Sequence, residues 1–219
     1  MARASRAVAE QHRTAIEEAS ARLFRQHGLH GVSVAQIMAD AGLTHGGFYG
    51  HFASKDDLAA VACARAFSSS NARWQHLVAK ADGDPHAARR NLVDLYLNEA
   101  HRDAAGHGCP ASALVADIAR EPAGKPVRQA YLDGVKQLLS TWKTTATEGP
   151  SDETDRAALL EMATLVGAIT LARATAGDAI SDDILAVARG WLLERDGREG
   201  DRATDGTTDS RAVTPSAPA

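Results

Sequence analysis

Ser33-Val34-Ala35-Gln36-Ile37-Met38-Ala39-Asp40-Ala41-Gly42-Leu43-Thr44-His45-Gly46-Gly47-Phe48-Tyr49-Gly50-His51-Phe52-Ala53-Ser54-Lys55 is the stretch whose reading decides the fold. Its first four residues have the form of a capping box, in which a serine opens a helix and a glutamine three residues on reaches back to it. The helix it opens carries apolar residues at Val34, Ile37, Met38 and Ala41, one face of a helical repeat. Gly42 breaks that pattern, since glycine tolerates the left-handed backbone that ends a helix. Thr44 is placed to cap a third short helix reaching about Gly50. Leu43, Phe48 and Phe52 would lock this helix against the one before it. Two short helices joined by a tight turn have the spacing of a helix-turn-helix. On spacing alone, an ordinary packed helical corner is the commoner reading.

Working outward, Ile16, Ala19, Ser20, Leu23 and Phe24 share one face of a helix that stops at His27-Gly28. Ser54 to Asp57 opens a fourth helix with Leu58, Val61 and Ala62 on its inner face. Further on, Pro85 suits the first turn of a helix through about Arg102. Residues 104–110 form a hinge, and a short helix covers 111–120. Longer helices are expected from about Val127 to Thr147, from an Asp152 cap to about Ala176, and from a Ser181 cap to about Glu194. No strand or internal repeat is evident. The chain is therefore expected to be all-α. A helix-turn-helix domain would occupy 1–60, a second helical domain 61–195, and a Gly, Asp, Thr, Ser and Pro tail without structure 196–219.

The 219 residues are 44% hydrophobic, 5% aromatic and 24% charged, a soluble globular composition that leans towards helix. No apolar run approaches the ~20 residues that span a bilayer, so no membrane segment is expected. The first residues carry arginines but no apolar core, unlike a secretory signal. Cys63 and Cys109, far apart, read as reduced thiols of a cytoplasmic protein. A net charge of −4 looks wrong for a nucleic-acid binder, but its distribution matters more than its sum. Residues 1–60 hold six Lys or Arg against six acids, and the remainder 18 against 22. The N-terminal part is neutral, which permits DNA binding without arguing for it.

The residue identities in 33–55 go further than the spacing. A Ser opening the second helix, Ala-Gly-Leu-Thr, Gly-x-x-Tyr-x-His-Phe and a following Lys resemble the signature of the TetR family (TetR/AcrR type) of transcriptional repressors. The resemblance covers about residues 10–65. Two departures stand out: Met38 where a small residue is common, expected to loosen the helix crossing, and Gly47 beside Gly46, costing ~1 kcal/mol against Ala. The resemblance implies a homodimeric regulator on a palindromic double-stranded DNA operator, not an enzyme, without cofactor or metal. It also makes the 61–195 region an effector-binding and dimerisation domain. Ser33, Gln36, Thr44, His45, Gly46, Tyr49, His51 and Lys55 become the DNA-binding candidates. Ser33 and Thr44 suit phosphate at helix starts, while Tyr49, His51 and Lys55 can also meet phosphate. His45 is the candidate for base edges, and Gly46 allows close approach. Arg3 and Arg6 suit either a flexible arm reaching DNA or an unengaged tail.

In the second domain, Leu159, Leu160, Ala163, Val166, Gly167 and Thr170, with Ile184, Leu185, Ala188, Trp191 and Leu192, form two apolar stripes that would build a four-helix dimer interface. The alternative is that they close the monomer core. Tyr96, His101, Cys109, Leu114, Tyr131, Leu138 and Trp142 are the candidates for sensing a small-molecule or thiol-reactive effector. Gly108-Cys109-Pro110 resembles a Gly-Cys-Pro that follows the fifth helix in some members of this family, a few of which sense electrophiles or oxidants through a Cys, and His101 and His107 could lower the thiol's pKa. Cys109 as a buried apolar residue is the blander reading. A metal site from these three lacks the usual spacing. A Cys-dependent enzyme using Cys109 with a histidine base, and a helical protein-interaction adaptor, are the rival readings.

Overall fold

The computed structural model describes residues 2–205 of the chain, and their regular structure is helical throughout. The α-helices are α1 (Ala2–His27), α2 (Val34–Asp40), α3 (Lys55–Ala79), α4 (Pro85–Tyr96), α5 (Glu99–Asp103), α6 (Pro110–Ala113), α7 (Val115–Arg120), α8 (Pro126–Lys143), α9 (Asp152–Ala174) and α10 (Ala179–Asp205). Short 3-10 helices cover His45–Gly50 and Ala105–His107.

The head consists of α1, α2 and the 3-10 helix His45–Gly50, closed by the start of α3. Gly28 and Gly42 take φ of +79° and +72°, the left-handed backbone expected where α1 and α2 stop. Ile16, Phe24, Ile37, Met38, Phe48, Phe52 and Leu58 are buried together as its core. The third element is 3-10 rather than α-helical. Three glycines in six residues (Gly46, Gly47, Gly50) leave little helix propensity, and a 3-10 turn is the form short segments take. Thr44 makes no side-chain cap there, against expectation. The loosening expected at Met38 is absent. Met38 is 1% exposed, and its Cε would lie 3.6 Å from a Cβ built on Gly47. The larger side chain fills the room the glycine leaves, so the two departures compensate.

Several boundaries differ from the sequence reading. The helix expected through Arg102 breaks at Leu97-Asn98. The Asn98 side chain accepts from the His101 N–H at 2.8 Å and donates back to the Asp94 and Leu95 carbonyls, ending α4 and starting α5. The short helix expected over 111–120 is split at Leu114 into α6 and α7. Helix α8 stops at Lys143, before Thr147. Ser151 caps α9 in place of Asp152. Ser181 lies inside α10, where its buried hydroxyl donates to the Ala172 carbonyl at 2.8 Å and ties α10 to α9. Helix α10 runs past Glu194 to Asp205, into the stretch expected to lack structure; 206–219 lie outside the described residues. At the other end the backbone is helical from Ala2, so the segment of Arg3 and Arg6, read as either a flexible arm or an unengaged tail, has the backbone of α1.

The body is built on α3, which runs out of the head and crosses α8 at close quarters. A Cβ on Gly134 would overlap the Phe67 ring, so only glycine lets these helices approach so closely. Beside this crossing, Arg89 on α4 pairs with Glu161 on α9, both buried. Trp142 on α8 donates its indole N–H to Glu161 at 2.9 Å, and the Arg89 guanidinium lies 4.9 Å from the Trp142 ring centre. Three helices thus meet on one buried ion pair. Helix α9 corrects the expectation that no segment has the length and apolarity of a membrane span. An 18-residue window within it has a mean hydropathy of 1.5, with 39% of that window buried inside the protein.

Candidate nucleic-acid interface and ligand cavity

Six of the eight DNA-binding candidates, Ser33, Gln36, Thr44, His45, Gly46 and Tyr49, are exposed on α2 and the 3-10 helix. Ser33 and Gln36 form the full capping box. The Gln36 side-chain carbonyl accepts from the Ser33 N–H at 2.8 Å and from its hydroxyl at 2.9 Å, while Ser33 Oγ accepts from the Gln36 N–H at 3.2 Å. This pairing holds Gln36 rigidly and turns its NH2 donors away from the cap. Tyr49 is 70% exposed, with its ring edge-on to Phe48 at 5.1 Å, so the packed phenylalanine aims the phenol outward. His51 and Lys55 are only half-buried. The Lys55 ammonium lies 5.9 Å from the Phe24 ring centre, and burial lowers its pKa against the raising effect of Asp56 and Glu121. It is turned towards the protein rather than displayed.

Arg13, Arg22 and Arg25 of α1 are engaged as well. Arg13 pairs with Glu17 at 3.0 Å, donates to the His51 carbonyl at 2.7 Å and stacks over Phe52. Arg22 pairs with Asp40 of α2. Arg25 donates to the Ala21 carbonyl within α1 and reaches out of the head to the Gly108 carbonyl, both at 2.8 Å. The turn that holds Gly108 also lays Gly106 against α1, where a Cβ would come within 3.3 Å of the Arg22 side chain. A second junction joins His30 Nε2 to a Glu121 carboxylate oxygen at 2.6 Å, and Lys125 to Asp56.

The far side of that turn lines a cavity of about 220 Å³ between α3, α4 and α5. Of the seven effector candidates, Tyr96, His101 and Cys109 line it. Leu114 and Leu138 are core residues, Trp142 belongs to the Arg89–Glu161 network, and Tyr131 donates to the Ala111 carbonyl at 2.6 Å. Arg73 and Trp74 line the cavity and were missed, because α3 shows them as an unremarkable pair in a helical run.

His101 is fully committed. Its Nδ1 meets the Tyr96 carbonyl at 2.6 Å and therefore carries the proton, while Nε2 accepts from the Cys109 N–H at 2.9 Å. Burial, with Arg173 and Arg73 nearby, pulls its pKa down to about 4 in spite of the Tyr96 bond, so the ring is neutral. The expected activation of Cys109 does not occur. His101 bonds the Cys109 backbone rather than its sulfur, and burial pushes the thiol pKa up. Cys63 is likewise buried, its pKa pushed up to about 12. Tyr96 is buried with its hydroxyl making no hydrogen bond, although Cys109 and Ser112 are close by. Among the described residues, no group of three His, Cys, Asp or Glu is arranged to hold a metal ion.

The profile of "Bacterial regulatory proteins, tetR family" matches residues 16–62, the head and the start of α3. The HTH-type transcriptional regulator AcrR of Shigella flexneri is 32% identical over 93 residues, which is 42% of this chain and 43% of that protein. The chain thus matches less than half the length of that relative. Two solved structures share the fold over most of both chains. The reduced form of E. coli NemR is similar with a TM-score of 0.71 and 18% identity, over 84% of this chain and 95% of that one. A TetR-family transcriptional regulator from Agrobacterium tumefaciens is similar with a TM-score of 0.69 and 21% identity, over 85% and 98%. The capped α2, the left-handed Gly42 and the outward Tyr49 all lie within residues 16–62, the part of the chain that is similar to the tetR family of bacterial regulatory proteins.

Proposed function

We propose that this chain is a homodimeric regulator that represses transcription from a palindromic operator in the cytoplasm and leaves it when a small molecule enters the body. The observation that carries the reading is the exposed set on α2 and the 3-10 helix, with Tyr49 aimed outward by Phe48. Tyr49 would hydrogen-bond phosphate, and Gln36 and His45 would meet base edges. Dimerisation is supported by an apolar surface the protomer leaves uncovered. Leu159, Leu160 and Leu171 on α9, and Ile180, Val187 and Trp191 on α10, are all exposed. Leu185 and Leu192, expected in the same stripe, instead close the protomer core. Covering a Leu or Val side chain fully is worth about 1.5–3 kcal/mol, so six in one interface favour a stable pair.

Release follows from the turn at 105–108, which touches α1 on one side and lines the cavity on the other. A ligand that favours a different seat for this turn moves α1, and with it the spacing of two recognition elements that must reach successive major grooves. Fluorescence anisotropy on DNA from the chain's own upstream region, at several salt concentrations, tests the reading. Binding should be sequence-specific and weaken as salt rises. Tyr49→Phe should weaken it evenly across operator variants, and His45→Ala should relax preference at one or two base pairs. If the amine turns outward on DNA, Lys55→Ala flattens the salt slope by about one unit. Light scattering should give twice the 23.0 kDa protomer mass. Salt-independent or sequence-blind binding would remove the regulator reading.

A further inference from the structure

The cavity has an unusual charge balance. It is lined by Arg73, His101 and His107, and no Asp or Glu lines it. Arg25 and Arg173 stand just behind its wall. Arg25 donates to the Gly108 and Ala21 carbonyls, and Arg173 to the His101 and Arg102 carbonyls and the Ser112 hydroxyl. Their hydrogen bonds therefore go to neutral acceptors, and among the described residues neither has a carboxylate partner. Burial lowers the pKa of both, and Arg73 adds to the lowering at Arg25. His101 cannot relieve this field, because both its ring nitrogens are occupied and it accepts no further partner. Arg73 is exposed at the cavity and, among the described residues, makes no hydrogen bond or ion pair. Trp74 and Leu95 offer apolar wall, and the Tyr96 hydroxyl remains an unused donor in the same wall.

We infer that this cavity takes a compact organic anion, a small carboxylate with a planar apolar body, whose charged head meets Arg73 and whose body lies against Trp74 and Leu95. This rests on the reading of the body as an effector domain and adds the chemistry of the effector. An arginine fork matches a carboxylate with two parallel hydrogen bonds, and three guanidiniums without a carboxylate partner favour the anion over a neutral or cationic molecule of the same shape. The volume, below the ~300–1,000 Å³ typical of drug-sized sites, limits the ligand to roughly a single ring system. A bound anion would neutralise the face of the 105–108 turn opposite α1, the turn that Arg25 clamps to the head.

The test uses the full-length protein and three isosteric series: benzoate and indole-3-carboxylate, the matching amides, and benzylamine with its indole counterpart. Calorimetry and thermal unfolding should show binding by the carboxylates and at least tenfold weaker binding by amides and amines. Arg73→Gln, at an exposed position without hydrogen bonds, should weaken the carboxylates about tenfold while the protein stays folded. Arg73→Glu should turn the preference towards the amines. Equal affinity for the three series, no binding by any carboxylate, or no change in Arg73→Gln overturns the inference. Operator binding by the ligand-free protein is measured in parallel. If it persists while the anions fail, this inference falls alone; if it is absent, the regulator reading falls with it.

Discussion

In the head, Gln36, Thr44, His45 and Tyr49 stand in solvent, and the buried side chains are apolar apart from Ser20. In the body, Arg89, Glu161, Ser112, Thr141 and Ser181 are buried, and each is tied to a partner on another element or to its own backbone. The head is held mainly by apolar packing, with its polar groups at the surface. The body spends polar groups on joining its helices, and among its described buried side chains the Tyr96 hydroxyl is the one left without a hydrogen bond. A polar group taken out of water costs free energy unless it finds a hydrogen bond.

The contrast is sharpest for ion pairs. Glu161→Ala removes the partner of a buried arginine and the acceptor of the Trp142 N–H together. It should cost roughly 3–5 kcal/mol in urea unfolding. Asp40→Ala breaks the partly exposed Arg22–Asp40 pair of the head and should cost under about 1 kcal/mol. Similar costs would erase the distinction drawn between the two regions.

Packing at the α3–α8 crossing gives the next largest effect. Gly134→Ala drives a methyl group into the Phe67 ring, and the helices must part or the ring must leave its rotamer. A loss of about 1–3 kcal/mol is expected, read as a lower urea midpoint at an unchanged slope. A neutral result would mean that the crossing is softer than its geometry implies.

These two positions also mark where sequence reading stops. The head was legible because local rules fix it: a capping box needs Ser33 and Gln36, and a helix stop needs Gly42 at positive φ. The nature of its third element was missed, since glycine counting lowers helix propensity without saying that a 3-10 turn replaces the helix. The body depends on contacts between residues far apart in the chain. Nothing near Gly134 announces Phe67, and nothing near Arg73 announces a cavity shared with Cys109. His101 and Cys109 were rightly placed together, but their chemistry was inverted. The sequence shows that a histidine is near a thiol, not that its nitrogens are both taken by backbone.

That inversion has a pH signature. His101 has its folded-state pKa depressed to about 4, below the ordinary value near 6.5 of the unfolded chain. The unfolded chain thus binds the proton more readily between these values, and stability falls as pH drops through that window. Its contribution is complete above about pH 6.5, declines by at most ~1.4 kcal/mol per pH unit, and levels off below about pH 4. His101→Gln, which keeps a donor and an acceptor, should flatten the difference between pH 7 and pH 5 in thermal unfolding relative to wild type. Unchanged pH dependence in the variant would show that His101 is free to protonate and not locked between Tyr96 and Cys109.

The smallest effect expected has the opposite sign to Gly134→Ala. Gly47 does not adopt a positive φ, and a Cβ there meets only the Met38 Cε, at an ordinary contact distance of 3.6 Å. Gly47→Ala therefore restricts the unfolded chain without straining the folded one. It should stabilise by about 0.5–1 kcal/mol, seen as a rise of about 1–4 °C in Tm. Because the new methyl faces Met38 inside the head, operator affinity should hold. Gly46 separates stability from recognition. A Cβ there meets nothing within 4 Å, so Gly46→Ala should stabilise to a similar degree while its methyl stands where the groove must approach. Loss of DNA affinity in Gly46→Ala with affinity kept in Gly47→Ala would place Gly46 at the contact. The same loss in both would mean that the 3-10 turn must flex to bind, and the picture of a rigid, outward-facing head would give way.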